Sequence, residues 1–225
     1  MSSEVVLYGY PRSQSWMRVA IALNLKGIAH RHVMLDLLGG EQSGREHLGR
    51  NPQGLVPVLE IDGLQLTQSL AIIEYLDETR PGTRLLPADP EARALVRRFA
   101  LAIAADAAPL CNLSVSKEID GRFGAAASKT WLIGHLSSGI NLAETLLPAD
   151  GTGPYAFGPS PTVADCVLFA YVRAAWRWGI DSRGAPGVAA IYAHCERQLA
   201  FSNVVELQRA WEGASDLGDG PRNSG

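Results

Sequence analysis

The chain has little of what marks a disulfide-rich, metal-binding or membrane-spanning protein. Its 225 residues include only 3 cysteines, widely spaced, and 5 histidines that form no metal-ligand motif. An odd, dispersed set of cysteines argues against a disulfide framework. No apolar run reaches the ~18 residues of a membrane span, and the opening MSSEVVLYGY lacks the basic start and apolar core of a signal peptide. These absences predict a reduced, cytoplasmic protein with no metal and no membrane partner.

Positive charge is also scarce. The net charge is −3, and the longest basic cluster is the pair Arg97–Arg98. This distribution leaves no electrostatic footprint for nucleic acid. Hydrophobic residues make up 47% and charged residues 19% of the chain, which is typical of a globular protein. A chain of this length can bury a substantial core, either as one large domain or as two small ones.

The first 82 residues alternate strand and helix patterns. EVVLYG and HRHVMLD are typical of strands, and between them lies an amphipathic helix that begins at SWMRV and ends at Gly27. VPVLEI and LQLTQ flank Asp62–Gly63, which is a strong hairpin signal. A further helix follows, from Ser69 to the terminator Pro81–Gly82. The order βαβ–ββα predicts a small mixed sheet covered by helices.

From Pro90 the pattern changes to long segments of helical period without strand signals. Helices are predicted near 90–115, 125–147, 162–178, 188–199 and 202–211. We therefore predict an α/β domain at 1–82, a linker at 81–89, an all-α domain at 90–212 and a disordered tail at 213–225.

The turn that opens the first helix, PRSQS, crowds an arginine and two hydroxyls together. An N-cap accounts for one hydroxyl, Ser13 or Ser15, and leaves the other spare. A helix N-terminus with hydroxyl donors can also stabilise a thiolate, lowering a thiol pKa from its usual ~8.5. No cysteine lies in this turn, so the thiol would have to come from a ligand. Both interpretations remain open on these residues alone.

Two other segments carry ligand-binding signals. Val56–Pro57 precedes a strand, and a cis bond there would turn the backbone groups of Val56 outward, toward an extended peptide-like ligand. Gln68–Ser69 opens a helix. Ser69 is either a simple N-cap or, together with the helix N-terminus, a holder for a carboxylate or phosphate. Taken alone, this segment favours capping.

Together these segments resemble the zeta class of glutathione transferases, which includes maleylacetoacetate isomerase. That class carries a turn S-S-C followed by W-R-V-R-I-A-L, where this chain has SQSWMRVAIAL. The similarity continues through LNLKGI, NPQGLVPVLEIDG, QSLAIIEYLDETRPGTRLLP, APLCNLSVSKEI and PTVADCVL to RWGID, and so covers nearly the whole chain except the tail. The resemblance implies a thioredoxin-like N-terminal domain, a helical C-terminal domain, glutathione as cofactor and a homodimer.

The resemblance also implies roles at matching positions. Ser13 matches the serine that activates the glutathione thiol. Ser15 stands at the family cysteine, and its hydroxyl can still donate a hydrogen bond to a thiolate, although it cannot take that cysteine's redox or covalent role. The resemblance thus implies Ser13 and Ser15 as the catalytic residues. Gln14 replaces the second family serine, which alters the donor set. The implied glutathione-binding residues are Gln42 at the glycyl end, Val56 and a cis-Pro57 at the cysteinyl backbone, and Gln68 and Ser69 at the γ-glutamyl carboxylate.

The second substrate is implied to meet Arg12, Asn112 and Arg177. Cys111 takes a position at which the family has glutamine, so the resemblance implies that the polar contact of that glutamine to the substrate is lost. Thr162 and Asp165 match an N-capping box of the helical domain, to which we assign a role in folding.

The implied reaction is glutathione-dependent isomerisation of maleylacetoacetate to fumarylacetoacetate in aromatic amino-acid catabolism. Addition of the thiolate makes the cis double bond single, rotation follows, and elimination gives the trans isomer. Arginine forks would clamp the carboxylates of this small acidic substrate.

Three alternatives stay open. Maleylpyruvate isomerases tend to carry arginine where Leu113 and Ser114 stand here. A general glutathione transferase acting on halogenated acids would use the same thiolate. A non-catalytic binding protein of the same fold is compatible with the departures at Gln14 and Ser15.

Overall fold

The computed structural model of the protein describes residues 4–149 and 153–214. Within these residues there are four strands: β1 (Val6–Gly9), β2 (Arg31–Met34), β3 (Val58–Ile61) and β4 (Leu64–Thr67). The α-helices are α1 (Gln14–Leu25), α2 (Arg45–Arg50), α3 (Ser69–Thr79), α4 (Pro90–Leu101), α5 (Leu113–Phe123), α6 (Ala125–Leu146), α7 (Val163–Trp176), α8 (Pro186–Glu196) and α9 (Leu199–Ala214). Contacts divide them into two units. One comprises the chain through Leu86 together with α9, and the other runs from Pro87 to Arg197.

The sheet of the first unit has the strand order β2-β1-β3-β4. β1 pairs parallel with β2 and antiparallel with β3, and β3 and β4 form an antiparallel hairpin. The hairpin turns at Asp62 and Gly63, both with positive φ, as an Asp-Gly pair permits. The predicted mixed sheet is therefore confirmed.

Side chains alternate between the two faces of this sheet. Val6 and Tyr8 of β1 cluster with Val58 and Leu35, whereas Leu7 is completely buried and points to the opposite face. At the end of β1, a Cβ on Gly9 would lie 1.9 Å from Cδ1 of Trp16, so only glycine lets the first turn of α1 pack this closely on the strand.

A buried ion pair lies at the C-terminal end of α1 in the first unit. Lys26 Nζ lies 2.7 Å from Asp77 Oδ1, and the two side chains are only 1% and 4% exposed. Asp77 also accepts hydrogen bonds from the backbone N–H groups of Leu85 and Leu86. The extra donors satisfy the carboxylate, as a buried charge requires, and they fix the segment that leads out of the unit.

The C-terminal helix α9 contacts α1. Asn24 Nδ2 donates to the carbonyl of Ala200 over 2.9 Å, and the rings of Tyr10 and Trp211 meet edge to face at 5.2 Å. The sequence prediction placed this helix in the second domain, whereas the contacts group it with the first unit. Of the predicted tail, Gly213 and Ala214 complete α9, and residues 215–225 lie outside the described residues.

In the second unit, the single helix predicted at 90–115 is broken. α4 begins with an Asp89 cap and continues into a π-helical segment, Ala102–Ala107, and a 3₁₀ segment, Ala108–Cys111. Pro109 lacks a backbone N–H, which interrupts the regular ladder. By length and hydropathy alone, Pro90–Phe123 could cross a membrane. Because α4, the π segment and α5 contact α6 or α7, we interpret this stretch as part of the helical core.

The capping box at the start of α7 is present. Asp165 is completely buried, and it accepts hydrogen bonds from the N–H groups of Ala156 (2.8 Å) and Thr162 (2.7 Å) and from the Thr162 hydroxyl (3.0 Å). The carboxylate thereby joins the preceding loop to the helix, which is the predicted role in folding.

We expect Asp165→Ala to lower the free energy of unfolding by about 3 kcal/mol, because two buried N–H groups lose their acceptor. Asp165→Asn keeps one acceptor oxygen and should lose less. Urea unfolding measures both. The control is Asp181→Ala, which removes an exposed carboxylate paired with Arg183 and should change stability by at most ~0.5 kcal/mol. A loss below about 1 kcal/mol for Asp165→Ala would contradict this account.

Candidate active site

The predicted thiolate turn lies between β1 and α1. The N–H of Ser13 donates to the carbonyl of Tyr10 over 2.8 Å, which closes the turn. Ser13 is the N-cap of α1, and its hydroxyl oxygen accepts from the N–H of Trp16 over 3.4 Å. Capping is thus confirmed for Ser13. The capping bond uses a lone pair of the oxygen, so the hydroxyl proton remains available to another acceptor.

The two hydroxyls of the turn form a short relay. Ser15 Oγ donates to the backbone carbonyl of Val56 over 3.1 Å, and Ser13 Oγ lies 3.0 Å from Ser15 Oγ. A serine has one hydroxyl proton, and that of Ser15 is committed to Val56. The proton of Ser13 is therefore the one that can be redirected to a ligand. The Val56–Pro57 peptide bond is cis, as the family resemblance implied.

The loop that carries Val56 is fixed by two buried polar residues. His47 and Asn51 are each 2% exposed, and both donate to the carbonyl of Leu55, from Nε2 over 2.9 Å and from Nδ2 over 2.8 Å. These bonds hold the backbone next to Val56 in place. No motif pointed to His47, although it precedes the recognisable NPQGLVPV segment by only four residues.

Gln68 and Ser69 stand where β4 meets α3. Gln68 has φ +67°, an uncommon conformation for a residue with a side chain, and its Nε2 donates to Gln53 Oε1 over 3.1 Å. Ser69 is 6% exposed, and its hydroxyl accepts a hydrogen bond from Nη1 of Arg18, which is 3% exposed. Arg18 belongs to α1, so α1 supports both the serine turn and the start of α3.

Two glutamine side chains offer unused acceptors. Within the part of the chain that the structure describes, the Oε1 atoms of Gln14 and Gln42 are buried and have no hydrogen-bond partner. Gln42 lies in the short 3₁₀ segment Glu41–Ser43, whose backbone adjoins Gly54 of the Val56 loop. Buried amide oxygens without a donor are costly, and a peptide N–H is one group that satisfies them.

Arg12 already has an acidic partner. Its Nε donates to Glu212 Oε1 of α9 over 3.0 Å, and the two side chains are 14% and 27% exposed. A guanidinium has five N–H donors, so this bond leaves others for a second carboxylate. The sequence did not point to Glu212, which lies at the far end of the chain.

The other predicted substrate residues belong to the second unit. Asn112 is the exposed N-cap residue of α5, and Arg177 is the half-buried C-cap of α7. A cation is favourable at a helix C-terminus. Burial raises the pKa of the Cys111 thiol to about 11, so this thiol is protonated at neutral pH.

Comparison with known proteins places this geometry in a family. Residues 7–84 match the glutathione S-transferase N-terminal domain. A maleylacetoacetate isomerase of Rhizobium meliloti (strain 1021) is 48% identical over 206 residues, which are 91% of this chain and 97% of the relative. The crystal structure of a maleylacetoacetate isomerase from Methylobacterium extorquens AM1, with bound malonate and GSH, has a TM-score of 0.86 at 38% identity and covers 90% of this chain and 97% of its own.

A second solved structure, the holo form of a bacterial zeta-class maleyl pyruvate isomerase, has a TM-score of 0.85 at 37% identity. The match covers 88% of this chain and 95% of that one. Similarity of this degree extends through both units and includes the serine turn, the cis-proline loop and the start of α3. The chain therefore belongs to the zeta-class glutathione transferase family, the family of the maleylacetoacetate isomerases.

Proposed function

We propose that the protein is a glutathione-dependent isomerase that converts maleylacetoacetate to fumarylacetoacetate. The observation that carries the proposal is the relay of Ser13, Ser15 and Val56, in which one hydroxyl proton is held by a backbone carbonyl and the other can turn to a ligand. The maleylacetoacetate isomerase at 48% identity supports the choice of reaction.

The residues present fit glutathione. The buried acceptor oxygens of Gln14 and Gln42 match the N–H groups of a peptide. Val56 lies at the edge of a fixed loop, where its backbone can pair with the cysteinyl residue. Gln68 and Ser69 at the start of α3 suit the γ-glutamyl carboxylate, since a helix N-terminus attracts an anion. Gln42 would then meet the glycyl end.

The protein's part in the chemistry begins at the serine turn. Bound glutathione supplies a thiolate that adds to the cis double bond and leaves after rotation about the resulting single bond. The hydroxyl of Ser13 donates a hydrogen bond to the sulfur. This bond and the N-terminal dipole of α1 together stabilise the ionised thiol. Ser15 keeps its proton on Val56 and so holds the turn against the cis-proline loop.

The substrate is a small diacid, and arginines are the residues that match carboxylates. Arg177 at the end of α7 and Arg12 beside the catalytic turn can each form a bidentate pair. Asn112 would add a neutral hydrogen bond. The protein's own Cys111 is unsuited as nucleophile because burial raises its pKa to about 11, and burial also raises the pKa of Cys195.

Maleylpyruvate is the second candidate substrate. The holo maleyl pyruvate isomerase structure resembles this chain nearly as well as the maleylacetoacetate isomerase structure does, with TM-scores of 0.85 and 0.86. The two substrates share the cis double bond and the terminal carboxylate, so the same serine turn and arginine clamp serve both.

We further propose a cytoplasmic homodimer with no membrane partner, acting in aromatic amino-acid catabolism. Leu95 and Leu101 on α4 are 45% and 47% exposed, which is apolar surface that a second copy can cover. Sedimentation velocity of the purified chain distinguishes a dimer from a monomer.

The decisive experiment measures isomerisation of maleylacetoacetate and maleylpyruvate side by side, with and without glutathione. We expect turnover of both to require glutathione and kcat/KM to be higher for maleylacetoacetate. The reverse preference would identify a maleylpyruvate isomerase. Retention on immobilised glutathione without turnover of either substrate would favour a binding protein.

Ser13→Ala and Ser15→Ala should have different effects. Loss of the Ser13 donor is expected to reduce kcat by about 10- to 100-fold, the value of one charge-assisted hydrogen bond, with little change in glutathione affinity. Ser15→Ala should instead weaken glutathione binding, since the cis-proline loop loses its tie. The pKa of the bound glutathione thiol, measured by thiolate absorbance as a function of pH, should rise in Ser13→Ala and stay unchanged in Ser15→Ala. Equal losses of turnover and affinity in Ser13→Ala would make Ser13 a structural cap alone.

Arg177→Ala is expected to raise KM for the diacid by about tenfold, as for a lost carboxylate pair, and to leave KM for glutathione unchanged. Steady-state kinetics with each substrate varied in turn measures both constants. Arg183→Ala is the matched control, because Arg183 lies in the same unit, is 90% exposed and pairs only locally with Asp181. Equal effects of the two substitutions would remove Arg177 from the substrate clamp.

A further inference from the structure

Arg18 is a buried cation on a helix that is otherwise apolar at this point. It lies in the stretch WMRVAIAL of α1, in which the residues from Trp16 to Leu23 are all buried, and it is itself 3% exposed. Burial of a charge costs several kcal/mol unless it gains compensating partners. The position of Arg18 is therefore set by polar contacts as well as by packing.

The guanidinium contacts the residue that opens α3. Arg18 Nη1 donates to Ser69 Oγ over 3.4 Å, and both side chains are buried. The N-terminus of a helix carries partial positive charge. A carboxylate that binds beside Ser69 is therefore stabilised by this end of α3.

The hydrogen bond also sets the direction of the Ser69 hydroxyl. A hydroxyl has one proton and two lone pairs, and a guanidinium can only donate. The bond from Arg18 therefore occupies a lone pair of Ser69 Oγ and leaves its proton for an acceptor on the other side. Oriented in this way, Ser69 is a donor to the ligand before the ligand arrives, which lowers the entropic cost of binding.

We propose that Arg18 is a positioning residue for the γ-glutamyl carboxylate of glutathione, acting through the hydroxyl of Ser69. The inference rests on the proposed glutathione site at Gln68 and Ser69. The proposal gives α1 two roles. Its first turn holds the sulfur, and a residue one turn further on prepares the site of the γ-glutamyl carboxylate.

The test measures glutathione affinity by isothermal titration calorimetry in the absence of the diacid substrate. Arg18→Met should weaken binding by about 10- to 30-fold, the range of one hydrogen bond to a charged group. Arg18→Lys should recover part of the loss, because its ammonium group can still donate to Ser69. At saturating glutathione, kcat should stay within about twofold of the wild type, because the sulfur cradle is intact.

A double-mutant cycle with Ser69→Ala separates positioning from general stability. If Arg18 acts through Ser69, the double variant should bind glutathione no more than about twofold more weakly than the worse single variant, since coupled residues are not additive. Full additivity of the two losses would overturn the inference. If Ser69→Ala alone left glutathione affinity unchanged, the proposed glutathione site itself would fail, which is a different outcome.

A ligand without the carboxylate gives an independent readout. In 4-aminobutyryl-cysteinyl-glycine, the α-carboxylate of the γ-glutamyl residue is replaced by hydrogen. Arg18→Met and Arg18→Lys should change the affinity for this analogue by less than about twofold, since the group that Arg18 serves is missing. Equal weakening for glutathione and the analogue would show a merely structural residue.

Arg50→Met is the matched control. Arg50 lies in the same unit and pairs with Glu46 and Glu60, away from Ser69, so neither ligand's affinity should change. If Arg18→Met does not fold, the test uses Arg18→Lys alone. We then expect weaker binding of glutathione and unchanged binding of the analogue. Unchanged glutathione affinity in a folded Arg18→Lys and a folded Arg18→Met would overturn the inference.

Discussion

The hydrogen bond from Ser15 to the carbonyl of Val56 ties together two parts of the chain that are 41 residues apart in sequence. One part is the turn that opens α1, and the other is the loop that contains the cis peptide bond. Each is held on its own side, the turn by the close packing of Trp16 on Gly9 and the loop by His47 and Asn51. Because both sides are fixed, the bond also fixes which serine proton remains available. The chemistry that we propose for Ser13 depends on this constraint.

Local signals were enough to predict the first unit's elements. The apolar period of α1 and its terminal Gly27, and the Asp62–Gly63 turn between β3 and β4, depend on residues close together in sequence. The break between α4 and α5 was missed because apolar residues continue through the π segment at Ala102–Ala107 and hide the effect of Pro109. A hydrophobic pattern shows which residues are buried more reliably than it shows where a helical ladder is interrupted.

Partners distant in sequence lay beyond the reach of such patterns. The period of α9 predicted a helix, but its place on α1 is set by contacts such as Asn24 to Ala200, 176 residues apart. In the same way, the sequence singled out Ser13, Val56 and Ser69 through motifs, whereas nothing in the pattern tells a buried arginine from an exposed one at position 18. Three-dimensional packing determines which residues support a site. A sequence motif reveals only the residues that are supported.

The bond between Arg12 and Glu212 changes which anions the serine turn can bind selectively. An unpaired arginine beside a helix N-terminus would attract any anion, including chloride or phosphate. With Glu212 on its Nε, Arg12 carries a partly balanced charge, so a single weak anion gains little from binding it. A diacid gains more, because once one of its carboxylates is bound, any contact of the other is made within an already bound molecule. Partial neutralisation of Arg12 thus favours substrates with two carboxylates over simple anions, as isomerisation of a maleyl diacid requires.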